Sequence, residues 1–134
     1  MSKSIKRILI CLIFLCILIS AYIFIVVPRS FSIKDYEEEI SFYSTLGDLY
    51  AEPIRSKPEA YFTAKKLIRD RYVANGIDIG SEYNKIYSIF YDKYNDSWYI
   101  KRSYLDTYLG CAVGGTVNVL IRSDGTVLAV WIDM

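Results

Sequence analysis

The side chains that most often perform acid–base chemistry or bind metals are scarce in this sequence. Histidine is absent, which removes both the commonest general acid–base group and the commonest metal ligand. A carboxylate base beside a tyrosine donor is the acid–base pair that the composition permits, with Asp92 and Asp106 as candidate bases, but no spacing requires it. We therefore predict no catalytic residue, no cofactor and a protein that is not an enzyme.

The three cysteines are placed where they cannot act together. Cys11 and Cys16 lie in an apolar N-terminal run, and only Cys111 lies beyond it. A single thiol can form neither an intradomain disulfide nor a cysteine zinc site. The sequence therefore predicts no metal site and a domain that is held together by packing.

Two glycine-containing motifs allow both a functional and a structural interpretation. Gly114-Gly115 could form an anion-binding turn, but no helix or lysine follows it as in a phosphate loop, so a strand entry or a bulge is favoured. Asp124-Gly125 could suggest a metal site, but one carboxylate without a neighbour is not a site. A hairpin turn that begins at Ser123 is favoured instead.

Aromatic residues are the candidates for contact with a partner. The chain has 13 tyrosines, and all except Tyr22 lie beyond the apolar run. Tyrosine is common in strands and is also enriched at interface hot spots, so we favour packing for the helix and strand tyrosines and leave both interpretations open for those in loops. Trp98 is interpreted as a core anchor. The predicted partner contacts are Tyr99, Tyr104, Asp106, Tyr108 and Trp131.

The apolar run predicts a membrane tether. It has twenty uncharged residues, begins at Ile8 and ends at Val27, and as a helix would measure about 30 Å, the thickness of a bilayer's hydrocarbon core. Three basic residues precede it, which favours a cytoplasmic N-terminus. The sequence thus predicts a single-pass protein of the cytoplasmic (inner) membrane with its C-terminal domain on the periplasmic or extracellular side. The predicted segments are a cytoplasmic N-terminus (1–7), a transmembrane anchor (8–27), a linker (28–33) and one folded domain (34–134).

Two alternatives to an uncleaved anchor stay open. A cleaved signal peptide has a shorter apolar core and small residues before the cut, whereas this run is long and ends in Val26-Val27-Pro28. A lipoprotein signal places a small residue before its cysteine, whereas Leu15 precedes Cys16 here. Both patterns fit less well than an anchor.

The domain beyond the run has a slightly acidic balance and a mixed secondary-structure pattern. It keeps 13 of the 16 basic residues and all 15 acidic ones, a net charge of −2, which argues against nucleic-acid binding. Apolar spacings of three and four predict helices over 34–50 and 56–72, the second with a capping box of Ser56 and Glu59 and a stop at Gly76. Alternation predicts strands over 83–91, 98–102, 116–121 and 126–132, with a loop over 103–113. This order predicts an α+β fold with an antiparallel sheet of about four strands.

Four segments carry a family resemblance. They are a helix that ends in residues 69–72, the tryptophan segment 96–100, the Gly114-Gly115 strand entry and the turn-and-strand segment 123–128. In this order and spacing they resemble the NTF2-fold immunity proteins of bacterial polymorphic toxin systems, including those encoded beside Rhs-type toxins. The resemblance covers about residues 58–131. The family usually has a Gly and a Pro soon after the tryptophan strand, and residues 101–108 lack the Pro.

The resemblance implies both a fold and a function. The implied fold is an NTF2-like domain with two helices packed on a curved sheet, in which the motif residues Trp98, Gly114, Gly115, Asp124 and Gly125 are structural. The implied function is to bind a cognate protein toxin and neutralise it at the membrane. A membrane-anchored scaffold subunit of a type IV secretion channel is an alternative, and an enzyme with an NTF2-like pocket is a third. The oligomeric state stays open.

Overall fold

The computed structural model describes residues 1–44, 51–111 and 114–134, and these form the α+β fold that the sequence predicts. A long apolar helix comes first, and a five-stranded sheet packed between helices follows it. The helices are α1 (Lys3–Val26), α2 (Glu37–Tyr43), α3 (Lys57–Arg71) and α4 (Leu105–Tyr108), and the strands are β1 (Arg29–Ser30), β2 (Lys85–Asp92), β3 (Ser97–Tyr104), β4 (Val117–Arg122) and β5 (Val127–Ile132).

The first helix, α1, is long and apolar enough to cross a membrane. It begins five residues before the predicted run because the Ser2 hydroxyl caps it by accepting from the Ile5 amide at 3.2 Å. Its mean hydropathy reaches 3.2 over 18 residues, and none of its residues is buried against the domain. This length and composition fit a membrane anchor, although an N-terminal signal sequence can also be long and apolar enough to meet the same criterion.

The sheet has the strand order β1-β2-β3-β4-β5, in which β2 to β5 form an antiparallel meander. Strands β2 to β5 correspond to the four predicted strands, but the sheet has five strands and is mixed, whereas an antiparallel sheet of about four strands was predicted. The fifth is β1, which pairs parallel to β2 through Arg29 with Phe90 and Ser30 with Tyr91. It lies in the segment that the sequence assigned to a linker, because two residues are too few to show an alternating pattern.

The strand bounds differ from the predicted ones mainly around β3. This strand extends to Tyr104 and leads directly into α4, so the prediction of a loop from Ser103 onward is wrong at its start. Residues 112–113 of that predicted loop lie outside the described residues. Tyr83, which was expected at the start of β2, precedes the strand and is 97% exposed. The predicted hairpin turn is confirmed, since the Gly125 amide donates to the Arg122 carbonyl at 2.9 Å.

Helix α3 forms as its sequence predicts. The Ser56 hydroxyl accepts from the Glu59 amide at 3.3 Å, as predicted, whereas the Glu59 carboxylate accepts from the amide of Arg55, one residue before the cap, at 2.6 Å. After one 3-10 turn the chain ends the helical segment at Gly76, whose φ of 76° is left-handed. The predicted helix is therefore confirmed at both ends.

One face of the sheet packs against α3. The helix turns its small residues Ala60 and Ala64 toward the sheet, which lets the two backbones approach closely. Trp98 and Ile100 of β3 are buried beneath it, so the prediction that Trp98 anchors the core is confirmed. The other buried apolar residues of this face are Ile54, Ile68, Tyr72, Ile89, Val117, Val119, Ile121, Val127 and Val130.

The opposite face is covered by the segment after β1. A 3-10 helix (Ile33–Tyr36) and α2 replace the first part of the helix predicted over 34–50, and residues 45–50 lie outside the described residues. This segment packs Tyr36 and Ile40 over a second cluster made of Tyr99, Leu120, Ala129 and Trp131. The two helical segments thus lie on opposite faces of the sheet, whereas the family resemblance implied helices laid together in its curve.

Candidate functional site

A short exposed helix, α4, is the feature of the domain that best fits a binding site. It begins where β3 ends, and two hydrogen bonds hold it to the rest of the domain. The Leu105 amide donates to the Asn84 carbonyl at 2.9 Å, and the Thr107 hydroxyl donates to the Gly114 carbonyl at 3.2 Å. A local bond from the Cys111 amide to the Asp106 carbonyl, at 2.8 Å, closes the turn that follows α4. The backbone of α4 is therefore fixed although its side chains face outward.

Tyr104 supports α4 from below. Its ring lies 3.4 Å from the Lys85 ammonium, measured to the ring centroid, which is a close cation–π contact. The ring also needs the glycine at position 115, because a Cβ there would come within 2.6 Å of the Tyr104 Cε2. Gly115 has a φ of 72°, so both its conformation and the space around it suit glycine. The predicted Gly114-Gly115 strand entry is thus explained by packing under α4.

The outward side of α4 is apolar with one acidic residue, and we call it the α4 face. It consists of Leu105, Asp106, Tyr108 and the following Leu109. The fractional exposures of Leu105, Tyr108 and Leu109 are 42%, 45% and 62%. The spacings of three and four from Leu105 put both Tyr108 and Leu109 beside it on one side of the turn. A contiguous apolar surface that the core does not need is typical of a contact surface.

The five predicted partner contacts do not lie together. Tyr104 is half-buried, and Asp106 and Tyr108 lie on the α4 face. Tyr99 and Trp131 are only 4% and 6% exposed and stack on the opposite face of the sheet with ring centroids 6.1 Å apart. These two residues therefore belong to the core and not to an exposed contact surface, which corrects their predicted placement.

Tyr99 is held in that core by its own hydrogen bond. Its hydroxyl donates to the buried Asn118 carboxamide oxygen at 2.7 Å, and burial, with the nearby Tyr36 and Asp133, raises the pKa of Tyr99. A phenol in this state stays protonated. Its role is to satisfy a polar group under α2.

A hydrogen-bonded cluster joins the two hairpin turns at one end of the sheet. The Trp98 indole donates to the Ser123 hydroxyl at 2.9 Å, and the hydroxyls of Ser123 and Tyr91 each donate to one Asp96 carboxylate oxygen at 2.6 Å. Hydrogen bonds from Ser123 and Tyr91 lower the pKa of Asp96. A carboxylate with a lowered pKa is a weaker base, which does not favour activation of Ser123 as a nucleophile. The cluster suits a structural role.

This cluster lines an open cleft of about 660 Å³ between the sheet and the end of α1. Its other walls include Pro28, Ile54 and Lys57. The predicted turn residues lie at its rim, where the Asp124 carboxylate accepts from the Thr126 amide at 2.9 Å. Within the described part of the chain, no three Asp, Glu or Cys residues come together as metal ligands.

Gly125 fits closely against the chain that precedes α3. Its φ is 97°, and a Cβ would come within 2.1 Å of the Ala51 carbonyl oxygen. The Gly125 carbonyl in turn accepts from the Ala51 amide at 2.8 Å. The motif glycine is therefore required both by the turn and by this backbone contact.

Asp92, a candidate base in the sequence, is a buried structural acceptor. Its carboxylate accepts from the Ile33 amide at 2.9 Å and from the Asn95 carboxamide at 2.8 Å, as well as from the amides of Tyr94 and Asn95. Burial opposes ionisation, but these hydrogen bonds outweigh it and lower the pKa of Asp92. Asp92 thereby ties the segment after β1 to the β2–β3 turn.

Arg102 is a buried charge that sequence reasoning missed. Its side chain is fully buried and donates to the Glu82 carboxylate at 3.0 Å and to the carbonyls of Ile79 and Gly80 at 2.9 Å each. The signal was present, because the alternation that turns Trp98 and Ile100 inward also turns Arg102 inward. These bonds fasten the loop before β2 to the core.

Comparison of the chain with known protein families, with curated proteins and with solved structures finds no match. The resemblance to NTF2-fold immunity proteins therefore depends on the motif residues alone.

Proposed function

We propose that this chain is a single-pass membrane protein whose NTF2-like domain binds a cognate protein toxin and neutralises it at the membrane. The observation that carries the proposal is the α4 face. It presents Leu105, Tyr108 and Leu109 together, with Asp106 at its side, on a backbone that is already fixed. A preformed apolar surface with a tyrosine is typical of an interface hot spot, because little conformational entropy is lost on binding.

The ionisable groups of the domain support binding over catalysis. Asp92 and Arg102 are buried, and their hydrogen bonds hold neighbouring loops in place. The Asp96 carboxylate accepts hydrogen bonds within the cluster that joins the two hairpin turns. Within the described residues, every buried side-chain nitrogen and oxygen has a hydrogen-bond partner. None of these groups is therefore poised toward a substrate in the cleft. Occlusion of a toxin's surface needs no such group.

The tether gives the proposed function its location. Lys3, Lys6 and Arg7 precede the apolar run, which favours a domain on the periplasmic or extracellular side of the cytoplasmic membrane. The Tyr108 hydroxyl accepts from the Arg29 guanidinium at 3.4 Å, so the α4 face lies beside the point where α1 ends. A toxin that acts at this membrane surface would meet the domain at a raised local concentration. A C-terminal fusion reporter tests the orientation, and activity on the cytoplasmic side would refute it.

The decisive experiment is co-expression of the neighbouring gene with and without this one. We expect the neighbour to stop growth when it is expressed alone and to be harmless when this chain is present. A double variant, Tyr108→Ala with Leu109→Ala, should lose protection, while the matched control Tyr94→Ala should keep it, because Tyr94 is 96% exposed at a different turn. A neighbour that is harmless in either compartment would contradict the proposal, and so would full protection by the double variant.

A further inference from the structure

A groove of about 230 Å³ lies between the end of α1 and the edge of the sheet. One wall is apolar and comes from the last turns of α1, through Ile23 and Phe24. The other wall is the part of β2 that β1 leaves uncovered, since β1 pairs only with Phe90 and Tyr91. Among the remaining lining residues are two cations, Arg29 and Lys57.

Neutral groups position both cations. The Lys57 ammonium donates to the Phe24 carbonyl and lies 5.3 Å from the centroid of that ring. The Arg29 guanidinium donates to the Tyr108 hydroxyl and lies 5.9 Å from the centroid of the Phe90 ring. Neither cation forms an ion pair with a carboxylate of residues 1–44, 51–111 or 114–134.

The two positive charges therefore share one groove without a carboxylate partner among the described residues. Burial, and then the charge of Arg29, lower the pKa of Lys57, because two like charges in one groove repel each other. An anion between them would remove that repulsion and accept charge-assisted hydrogen bonds from both. Arginine and lysine together are a common pair for a phosphate group.

The depth of the groove indicates where such a phosphate would come from. Phe24 lies three residues before the end of the apolar run, about 4.5 Å along the helix from Val27. A domain lysine that reaches the Phe24 carbonyl must therefore lie at the level of the lipid headgroups if α1 crosses the bilayer. The apolar wall of the groove then continues into the hydrocarbon region.

We propose that this groove binds one phospholipid of the membrane that α1 crosses, with the phosphate between Arg29 and Lys57 and an acyl chain along Ile23 and Phe24. The proposal rests on the membrane insertion of α1 in the proposed function, but not on toxin binding. A bound phospholipid would orient the domain, and with it the α4 face, against the membrane surface.

Native mass spectrometry of the full chain in detergent tests this site directly. Dioleoyl phosphatidylglycerol is titrated into the wild type, into Arg29→Gln/Lys57→Gln and into a charge-matched control, Lys93→Gln/Arg122→Gln, whose residues are exposed at the turn end of the sheet. We expect one phospholipid to bind the wild type and the control equally, and about tenfold or more weaker binding to the groove variant. Inorganic phosphate at equal concentration should not displace the lipid. Near-ultraviolet circular dichroism confirms that each variant is folded.

Every other outcome of this experiment would contradict the proposal, and each would identify a different reason. Equal binding by the groove variant would show that the cations do not hold the lipid, and equal loss in the control would show only a general effect of charge. Displacement by inorganic phosphate would identify a free anion as the ligand. If the full-length chain retains no lipid, the phospholipid site is refuted but the proposed toxin binding is not. If the intact mass shows that α1 has been cleaved off, both the phospholipid site and the membrane-tethered function are refuted.

Discussion

Replacing the buried Arg102 with methionine is expected to destabilise the domain by about 2–3 kcal/mol. Methionine keeps the apolar stem that packs in the core, so the change isolates the guanidinium and its hydrogen bonds. Those bonds go to the carbonyls of Ile79 and Gly80 and to the Glu82 carboxylate. Without them the loop before β2 keeps a weaker attachment, in which the Tyr87 hydroxyl of β2 donates to the Glu82 carboxylate at 3.0 Å.

The size of the expected destabilisation depends on how well each hydrogen-bond partner of Arg102 can be hydrated in the variant. A buried carbonyl that loses its donor costs about 1–3 kcal/mol. Gly80 is exposed and the Glu82 side chain is 47% exposed, so both recover hydration in the variant. Removing the fully buried charge also restores its desolvation energy. The expected loss therefore lies near the lower end of the values for buried ion pairs, yet it is a large part of a domain stability of about 5–15 kcal/mol.

Urea unfolding of the full chain in detergent, followed by tryptophan fluorescence, measures this loss. With an unchanged slope, a loss of 2–3 kcal/mol lowers the midpoint by about 1–2 M. Arg102→Lys should cost a similar amount, because an ammonium keeps the charge but cannot make the same planar set of bonds. The control is Arg69→Met, since the Arg69 side chain is 67% exposed and faces its partner carboxylate at 3.8 Å, and it should cost less than about 0.5 kcal/mol. A cost below about 1 kcal/mol for Arg102→Met, or full rescue by lysine, would refute this reasoning.

Three further substitutions test other parts of the fold. Folding lowers the pKa of Asp92, so the ionised carboxylate stabilises the fold fully above its unfolded pKa of about 3.9, and this stabilisation is lost as the pH falls through the folded pKa. In Asp92→Asn, the free energy of unfolding should therefore fall less steeply at acid pH than in the wild type, as measured by unfolding at a series of pH values. Gly125→Ala should cost at least about 2 kcal/mol and lower the Tm, because it combines a left-handed φ with a backbone clash. Tyr99→Phe should cost about 1–2 kcal/mol in urea unfolding, because it leaves the buried Asn118 oxygen without its donor. An unchanged pH limb, an unchanged Tm or a neutral Tyr99→Phe variant would each contradict the contact that it tests.

The elements that local signals specify were predictable. Helix α3 has a capping box, a 3.6-residue apolar stripe and a glycine stop at Gly76, and all three signals agree on its bounds. The β4–β5 hairpin was equally clear, since Ser123, Asp124 and Gly125 are turn residues between two alternating runs. In both cases the interactions that define the element lie within a few residues along the chain.

The elements that depend on distant residues were not predictable. Strand β1 has only two residues and forms because they meet β2 some sixty positions later. Helix α4 has one turn, is fastened by Asn84 and Gly114 and was interpreted as a loop. A four-residue segment offers too few positions for a helical period to be recognised. The candidate site was the hardest feature to predict, because it lies on α4.

The composition of β3 and β5 explains why Tyr99 and Trp131 were misplaced. A sheet with one solvated face alternates apolar and polar residues, whereas Trp98, Tyr99 and Ile100 follow each other without a break, as do residues 127–132. Such continuous runs are typical of strands that are covered on both faces. Because α3 covers one face and the segment around α2 covers the other, the central strands can offer a partner little surface. A protein partner of the proposed kind would therefore contact the edges and ends of the sheet, and among the described residues the α4 face is an apolar surface that lies there beside the end of α1.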